Sequence, residues 1–143
     1  PLDRLQLVQL PLSLYDQRLL LDGTVAQLNS TGLAIHARSI LLQGLLLKPV
    51  DEWPLFLSCD FRNHHHQLMQ HLEKCGLSLR DAALAFARNC DSLEAVLVGV
   101  LSAGELSKLL ASWNTMDTVE MGPVAAWAWR NDQDLDPRFW PTR

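Results

Sequence analysis

Three groups of residues have types and spacings that could do chemistry. At Gly99, Val100, Leu101 and Ser102 an apolar run passes through a glycine into a helix start. Free N–H groups and the dipole at a helix N-terminus favour an anion such as a phosphate. The same residues also read as an ordinary capping box, with Ser102 bonding the third helical N–H and Glu105 reaching back. Gln9 is the second group. It stands in the apolar strand-like run LVQLPL, where a buried amide without partners costs about 1–3 kcal/mol, so a ligand-binding role is favoured there. The third is the run His64, His65, His66 with His71. Consecutive helical residues point about 100° apart, so at most two imidazoles share a face, and a solvated histidine cluster is expected rather than a metal site. Asp16, Asp22, Asp51, Glu52 and the acids of NDQDLD read as caps and surface charge, because no apolar pocket that would raise a carboxyl pKa is implied around them.

Those residues have to be held by a folded scaffold, and the composition allows one. The chain has 143 residues, 48% hydrophobic and 20% charged, which is the makeup of one globular domain. A net charge of -4 and a pI near 5.6, with no Lys/Arg cluster, argue against nucleic acid or an anionic membrane as partner. No apolar run approaches the roughly 18–20 residues of a membrane span, and the first ten residues lack the features of a signal peptide. A cytoplasmic chain is expected. Cys59, Cys75 and Cys90 are odd in number and lack a C-x-x-C spacing, so they read as reduced and structural. The chain starts two residues before a strand-like run, without methionine or cap, and reads as a portion of something longer.

Short apolar runs at 5–10, 33–37 and 95–98 predict buried parallel strands. A helix is predicted after each, the first over 16–28 with its stop near Asn29 and Gly32. After the second strand come a short element, ILLQGLLL, and the proline-punctuated KPVDEWP. An amphipathic stretch over about 56–75 follows, with Leu68, Met69, Leu72 and Cys75 on one face. Ser78 then caps a helix with Asp81 at the capping-box position and Ala83, Phe86, Ala87 and Cys90 in a stripe. Leu106, Leu109, Leu110 and Trp113 repeat that stripe on the helix after the 99–102 junction. The tail from Thr115 holds three of the five tryptophans and is expected to be mostly irregular, packed down by Trp127, Trp129 and Trp140. Strand and helix alternating in this way mean an α/β architecture with parallel pairing. Three strands do not close a barrel, which needs about 250 residues for eight units.

Read in order, LQLVQLPLSLYDQR, LAIHARSILLQGLLL and AVLVGVLSAGELSKLL resemble the C-terminal part of the aldo-keto reductases, from the sixth barrel strand to the end. The resemblance covers roughly residues 1–115. It implies a partial (β/α)8 TIM barrel made of the last three βα units to about residue 114, followed by the Trp-rich tail over 115–143. It also implies NADP or NAD as cofactor and a small carbonyl substrate in the intact enzyme. Gln9 matches the family's glutamine at the end of the sixth strand, which hydrogen-bonds the nicotinamide carboxamide. Ser39 matches the serine after the seventh strand, and Leu41 and Gly44 match the backbone run along the pyrophosphate. Arg38 departs from the family's aromatic at the position that stacks on the nicotinamide; a guanidinium plane can stack on a ring but brings a positive charge. An ion pair at the strand end is its alternative role. Gly99, Val100, Leu101 and Ser102 match the loop that meets the adenosine phosphate. Glu105, where many NADP(H) users place a basic or neutral residue, would repel a 2'-phosphate and accept a bond from a 2'-hydroxyl.

The family's catalytic Asp, Tyr, Lys and His come from the first four strands. Those segments are absent from this chain, and Tyr15, its only tyrosine, follows a strand of the wrong rank. The chain alone is expected to be inactive. The rival reading is a catalytically dead, reductase-derived structural or interaction module. In either case Val8, Leu10, Ile35, Val96 and Val98, taken as barrel-lining, would be left uncovered, and self-association or pairing with a missing N-terminal half is expected. The tail either lines the substrate pocket or wraps the outer helices.

Overall fold

The computed structural model describes residues 5–115 and 122–141; the tail's stretch 116–121 lies outside the described residues. Strands β1 (Leu7–Pro11), β2 (Ala34–Arg38) and β3 (Ala95–Val96) form one parallel sheet in the order β1-β2-β3. Val8 pairs with Ile35, Gln9 with His36 and Ala37 with Val96. The α/β architecture expected from the sequence is present. Pro11, which has no N–H to give, can close β1 because that strand lies at the sheet's edge.

Successive strand residues point to opposite faces. Val8, Leu10, Ile35, Ala37 and Val96 share one face, where Ile35 and Ala37 are buried and Val96 packs against the core. Leu7, Gln9, Ala34 and His36 share the other, where Leu7 and Gln9 are exposed. This corrects the parity taken from the sequence: Val8, Leu10, Ile35 and Val96 face the core, and Gln9 lies on the open side. An apolar run does not say which of its two faces the helices will cover. Gln9 is therefore solvated, and the cost of a buried amide no longer argues for a ligand. Val98 lies beyond β3 and is exposed.

The helix expected over 16–28 is broken into α1 (Arg18–Leu21) and α2 (Thr24–Ser30). Gly23 adopts φ +83 between them, a left-handed conformation cheap only for glycine, and the Asp22 carboxylate accepts from the Thr24 N–H at 2.9 Å. Helix α3 (Cys59–Lys74) is capped by Ser58 and buries Phe61, His65, Leu68 and Leu72. Met69 and Cys75, expected on that face, are exposed, because the buried stripe is centred one residue earlier in each turn. Helix α4 (Leu79–Arg88) has the predicted Ser78 cap and is buried almost all round. Helix α5 (Ala103–Thr115) buries Leu109 and Ser112 but leaves Leu106 and Leu110 exposed.

Arg62 fixes the loop between β2 and α3. Its guanidinium donates to the carbonyls of Val50, Trp53 and Pro54 at 2.8, 3.0 and 2.7 Å, adding a side-chain donor to the Val50 and Pro54 carbonyls, which also accept the Trp53 and Leu57 N–H groups, and serving that of Trp53.

The described part of the tail is more ordered than its sequence suggests, with 3-10 turns at Val124–Trp127 and Pro137–Phe139 around α6 (Asp132–Leu135). Trp127, Trp129 and Trp140 pack against the core, as expected. Among the described residues no helix is long and apolar enough to cross a membrane.

Candidate functional site

Parallel α/β sheets present ligand sites at the carboxyl ends of their strands, where loops leave backbone groups unpaired. Here those ends open into a cleft of ≈ 490 Å³. Pro11 ends β1 and Arg38 ends β2; both line it, together with Ser39, Leu42 and Gln43 from the next loop, Arg18 and Leu19 of α1, and 135–138 of the tail. The walls combine prolines and leucines with three arginines, Asp136, Ser39 and Gln43.

Two of the cleft's three arginines are held by carboxylates. Arg18 donates to both oxygens of Asp16, at 2.8 and 2.9 Å, and to Asp132. Arg138 grips Asp136 through Nε and Nη2, and its guanidinium holds the Asp136 carboxyl down to about 2. Asp16, Asp134 and Asp136 are buried, which corrects the surface half of their reading as caps and surface charge; Asp136 does cap, accepting from the Arg138 N–H at 3.0 Å. The signal for Asp16 was its spacing from Arg18, and Asp136 stands at the same i, i+2 spacing from Arg138; Asp134 gave none through Ser58, which is 76 residues away. Asp134 accepts from the Ser58 N–H and hydroxyl at 2.8 and 2.7 Å and from the Trp129 indole at 2.9 Å. It ties the tail to the start of α3.

Arg38 differs from the other two. It is exposed, and its one side-chain hydrogen bond among the described residues goes to the Ser39 hydroxyl at 3.3 Å. The alternative of a structural ion pair at the strand end is not what the structure contains.

The backbone beyond Arg38 is strained. Ser39, Leu42 and Gln43 have φ of 60, 45 and 56, and Gly44 of 79. A left-handed non-glycine residue costs roughly 1–2 kcal/mol, and such residues cluster at ligand sites and tight turns. The Leu45 N–H closes this turn on the Leu42 carbonyl at 3.0 Å. Gly44 sits at its exit. The Leu41 side chain is buried in the core, so only its backbone can meet a ligand. The amides of Ser39, Ile40 and Leu41 have no acceptor among the described residues.

At the third strand end, Ser102 accepts from the Glu105 N–H at 3.1 Å and the Glu105 carboxylate accepts from the Leu101 N–H at 2.7 Å. The predicted cap is present, reaching one residue further back than Ser102. Glu105 thereby places its own negative charge where an anion would feel the α5 dipole. Gly99, Leu101 and Ser102 are exposed and Val100 half-buried. None of the four lines the cleft at Arg38.

On the open face of the sheet, Gln9 stands opposite His36. His36 was not singled out from the sequence; its signal was strand parity with Gln9, legible only once the register was known. Its Nε2 is buried without a hydrogen bond, 3.6 Å from the Glu94 carboxylate.

The histidine run is not a solvated cluster. His65 is buried, and its Nδ1 lies 2.7 Å from the hydroxyl of Tyr15, itself fully buried. Burial pushes the His65 imidazole down to about 4, with His66 and His64 adding to it, and pushes the Tyr15 phenol up. A neutral phenol therefore donates to a neutral imidazole. Only one helical face was needed to bury His65, and Trp53, 4.4 Å away between ring centroids, completes the wall. His64 bonds the Trp127 carbonyl at 2.9 Å. Among the described residues no group of three His, Cys, Asp or Glu side chains is placed to hold a metal ion.

The cleft at Arg38, the open face at Gln9 and the 99–105 junction thus share the carboxyl edge of one parallel sheet. No protein-family model matches the chain, and no curated protein matches it.

Proposed function

We propose that the chain is the cofactor-binding C-terminal portion of an aldo-keto reductase, acting within an intact enzyme that reduces a small carbonyl by hydride transfer from a nicotinamide dinucleotide. One observation carries the reading. Three successive parallel strands in sequential order, β1-β2-β3, leave a face open that bears Gln9, with Arg38 and Ser39 at the strand ends beside a cleft. In a partial TIM barrel the open face belongs to the barrel interior, filled by side chains of the remaining strands. Gln9 would orient the nicotinamide carboxamide, Arg38 and Ser39 would flank the ring, and the backbone at Leu41 and Gly44 would follow the pyrophosphate. Gly99, Val100, Leu101 and Ser102 would meet the adenosine end, with Glu105 favouring NAD over NADP. The cofactor supplies the hydride; the protein's part is orientation and charge.

Saturation-transfer NMR with NADH tests the reading. Transfer to the nicotinamide protons that Gln9→Ala diminishes is the expected result, and no transfer at millimolar NADH overturns it. The exposed Leu97, Val98, Leu101, Leu106 and Leu110 favour, beside this, association with a second chain, either a copy or the complementary barrel half. Sedimentation at micromolar concentration reads that directly, and a cooperatively folded monomer rules it out.

A further inference from the structure

We infer that the cleft at the ends of β1 and β2 takes a small organic acid that also bears the carbonyl, its carboxylate on Arg38 and Ser39 and its apolar body against Pro11, Leu19 and Pro137; as the substrate class of the reductase, this rests on the function proposed above.

The inference follows from how the charges are distributed. Arg18 is committed to Asp16 and Asp132, and Arg138 to Asp136. Those three carboxylates hold two guanidinium groups among them and make no contact with Arg38. The tail side of the cleft is closed on itself, whereas its β2 side ends in a guanidinium with all but one donor unused. A guanidinium presents five donors in a planar fork that matches a carboxylate. The Ser39 hydroxyl, 3.3 Å from Nη1, adds a donor on the same side. Ser39 reaches that position through a left-handed backbone, φ 60, at a cost that regular structure does not require.

Beside these charged groups the lining holds Gln43 and a set of apolar residues, Pro11, Leu19, Leu42, Leu135 and Pro137. A cavity of ≈ 490 Å³ lies within the roughly 300–1,000 Å³ of small-molecule sites, which combine apolar walls with a few orienting polar groups. Leu42 and Leu135 are already packed in the core, but a bare inorganic anion would leave the more accessible Pro11, Leu19 and Pro137 of the lining without partners, so the acid has a hydrocarbon body. A phosphate of the dinucleotide is the other oxyanion that could reach Arg38, and it would gain nothing from those walls.

Amide and arginine side-chain NMR of the chain, titrated separately with hexanoate, acetate, inorganic phosphate and NADH, separates the cases. Hexanoate is expected to shift Arg38 Nε and the Ser39, Ile40 and Leu41 amides saturably, binding several-fold tighter than acetate or phosphate. Arg38→Gln should weaken it about tenfold or more, while Arg130→Gln, at an exposed position outside the cleft, leaves it unchanged. Phosphate binding as tightly as hexanoate, or hexanoate binding indifferent to Arg38→Gln, overturns the inference. NADH that shifts Gln9 and Ser102 without any hexanoate site leaves the reductase reading standing and sinks this one; a hexanoate site without NADH binding keeps the acid site and sinks the reductase reading.

Discussion

The molecule has two halves that treat polar groups in opposite ways. Where the tail meets α3 and the loop after β1, Tyr15, His65, Asp16, Arg18 and Asp134 are each matched to partners: Tyr15 with His65, Arg18 with Asp132 and Asp134 with Ser58 across long sequence separations, Asp16 with Arg18 and Asp134 with Trp129 locally. Along the open face and carboxyl edge of the sheet, Arg38 and the 39–41 amides have donors to spare, the backbone is left-handed at three non-glycine residues, and leucines face solvent. The first half holds the fold; the second holds unmet demands that a ligand or another chain can meet. Stability and binding are therefore separable by mutation, and each test below measures that separation.

The largest effect belongs to Phe61, fully buried among Tyr15, Trp53 and Trp129. Phe61→Ala is expected to cost about 3–5 kcal/mol in urea unfolding. A loss below about 1 kcal/mol would mean that the aromatic half is not where the stability resides. Next comes pH. The folded His65 pKa of about 4 lies below an unfolded value near 6.5, so between the two the unfolded chain binds more protons. Stability is then lost as pH falls from about 6.5 to about 4, by up to roughly 3 kcal/mol. Urea midpoints at pH 7 and 4.5 should show that loss, and His65→Gln should reduce it.

Asp134→Asn keeps the shape but removes the charge from a site with three donors, and about 1.5–3 kcal/mol is expected. Calorimetry would show it as a lowered Tm. Glu105→Gln, at an exposed cap, should cost only about 0.5–1 kcal/mol; on the proposed reductase reading it should improve NADPH relative to NADH in steady-state kinetics, and an unchanged ratio would detach Glu105 from cofactor choice. At the small end, Gln9→Ala should leave stability within about 0.5 kcal/mol and, on the proposed reductase reading, weaken NADH binding.

The sequence carried the scaffold better than the site. The caps at Ser78 and Ser102 were legible because each depends on neighbours close along the chain, and parallel pairing was legible because helices separate successive strands. Which face of β1 and β2 is covered was not, since Val8 and Gln9 both lie in a short apolar run and only helix packing tells them apart. The helix at 16–28 was misread because Gly23 and Asp22 supply a local stop inside a continuous apolar pattern. Arg38 and Ser39 at the cleft came from the ordered motifs, and the pair of Asp136 with Arg138 that also lines it is a local i, i+2 contact, whereas His36 depended on register. Buried acids such as Asp134 have no sequence signature, because their partners arrive from 76 residues away.

The tail's grip on the front of the sheet also bears on how the chain reaches this state. The Gln17 amide bonds the Val124 carbonyl across 107 residues and Arg18 meets Asp132 across 114, so these contacts close nearly the whole chain into a ring. Ring closure is entropically expensive but grows only slowly with length, by about 0.6 kcal/mol per doubling, and contacts so distant form after local ones. Helices α3 and α4, with their own caps and a short connection, can assemble first, and the tail docks onto them late. Weakening Arg18 or Asp132 should then quicken unfolding while barely slowing folding, making the tail the clasp that sets how long a folded molecule stays shut.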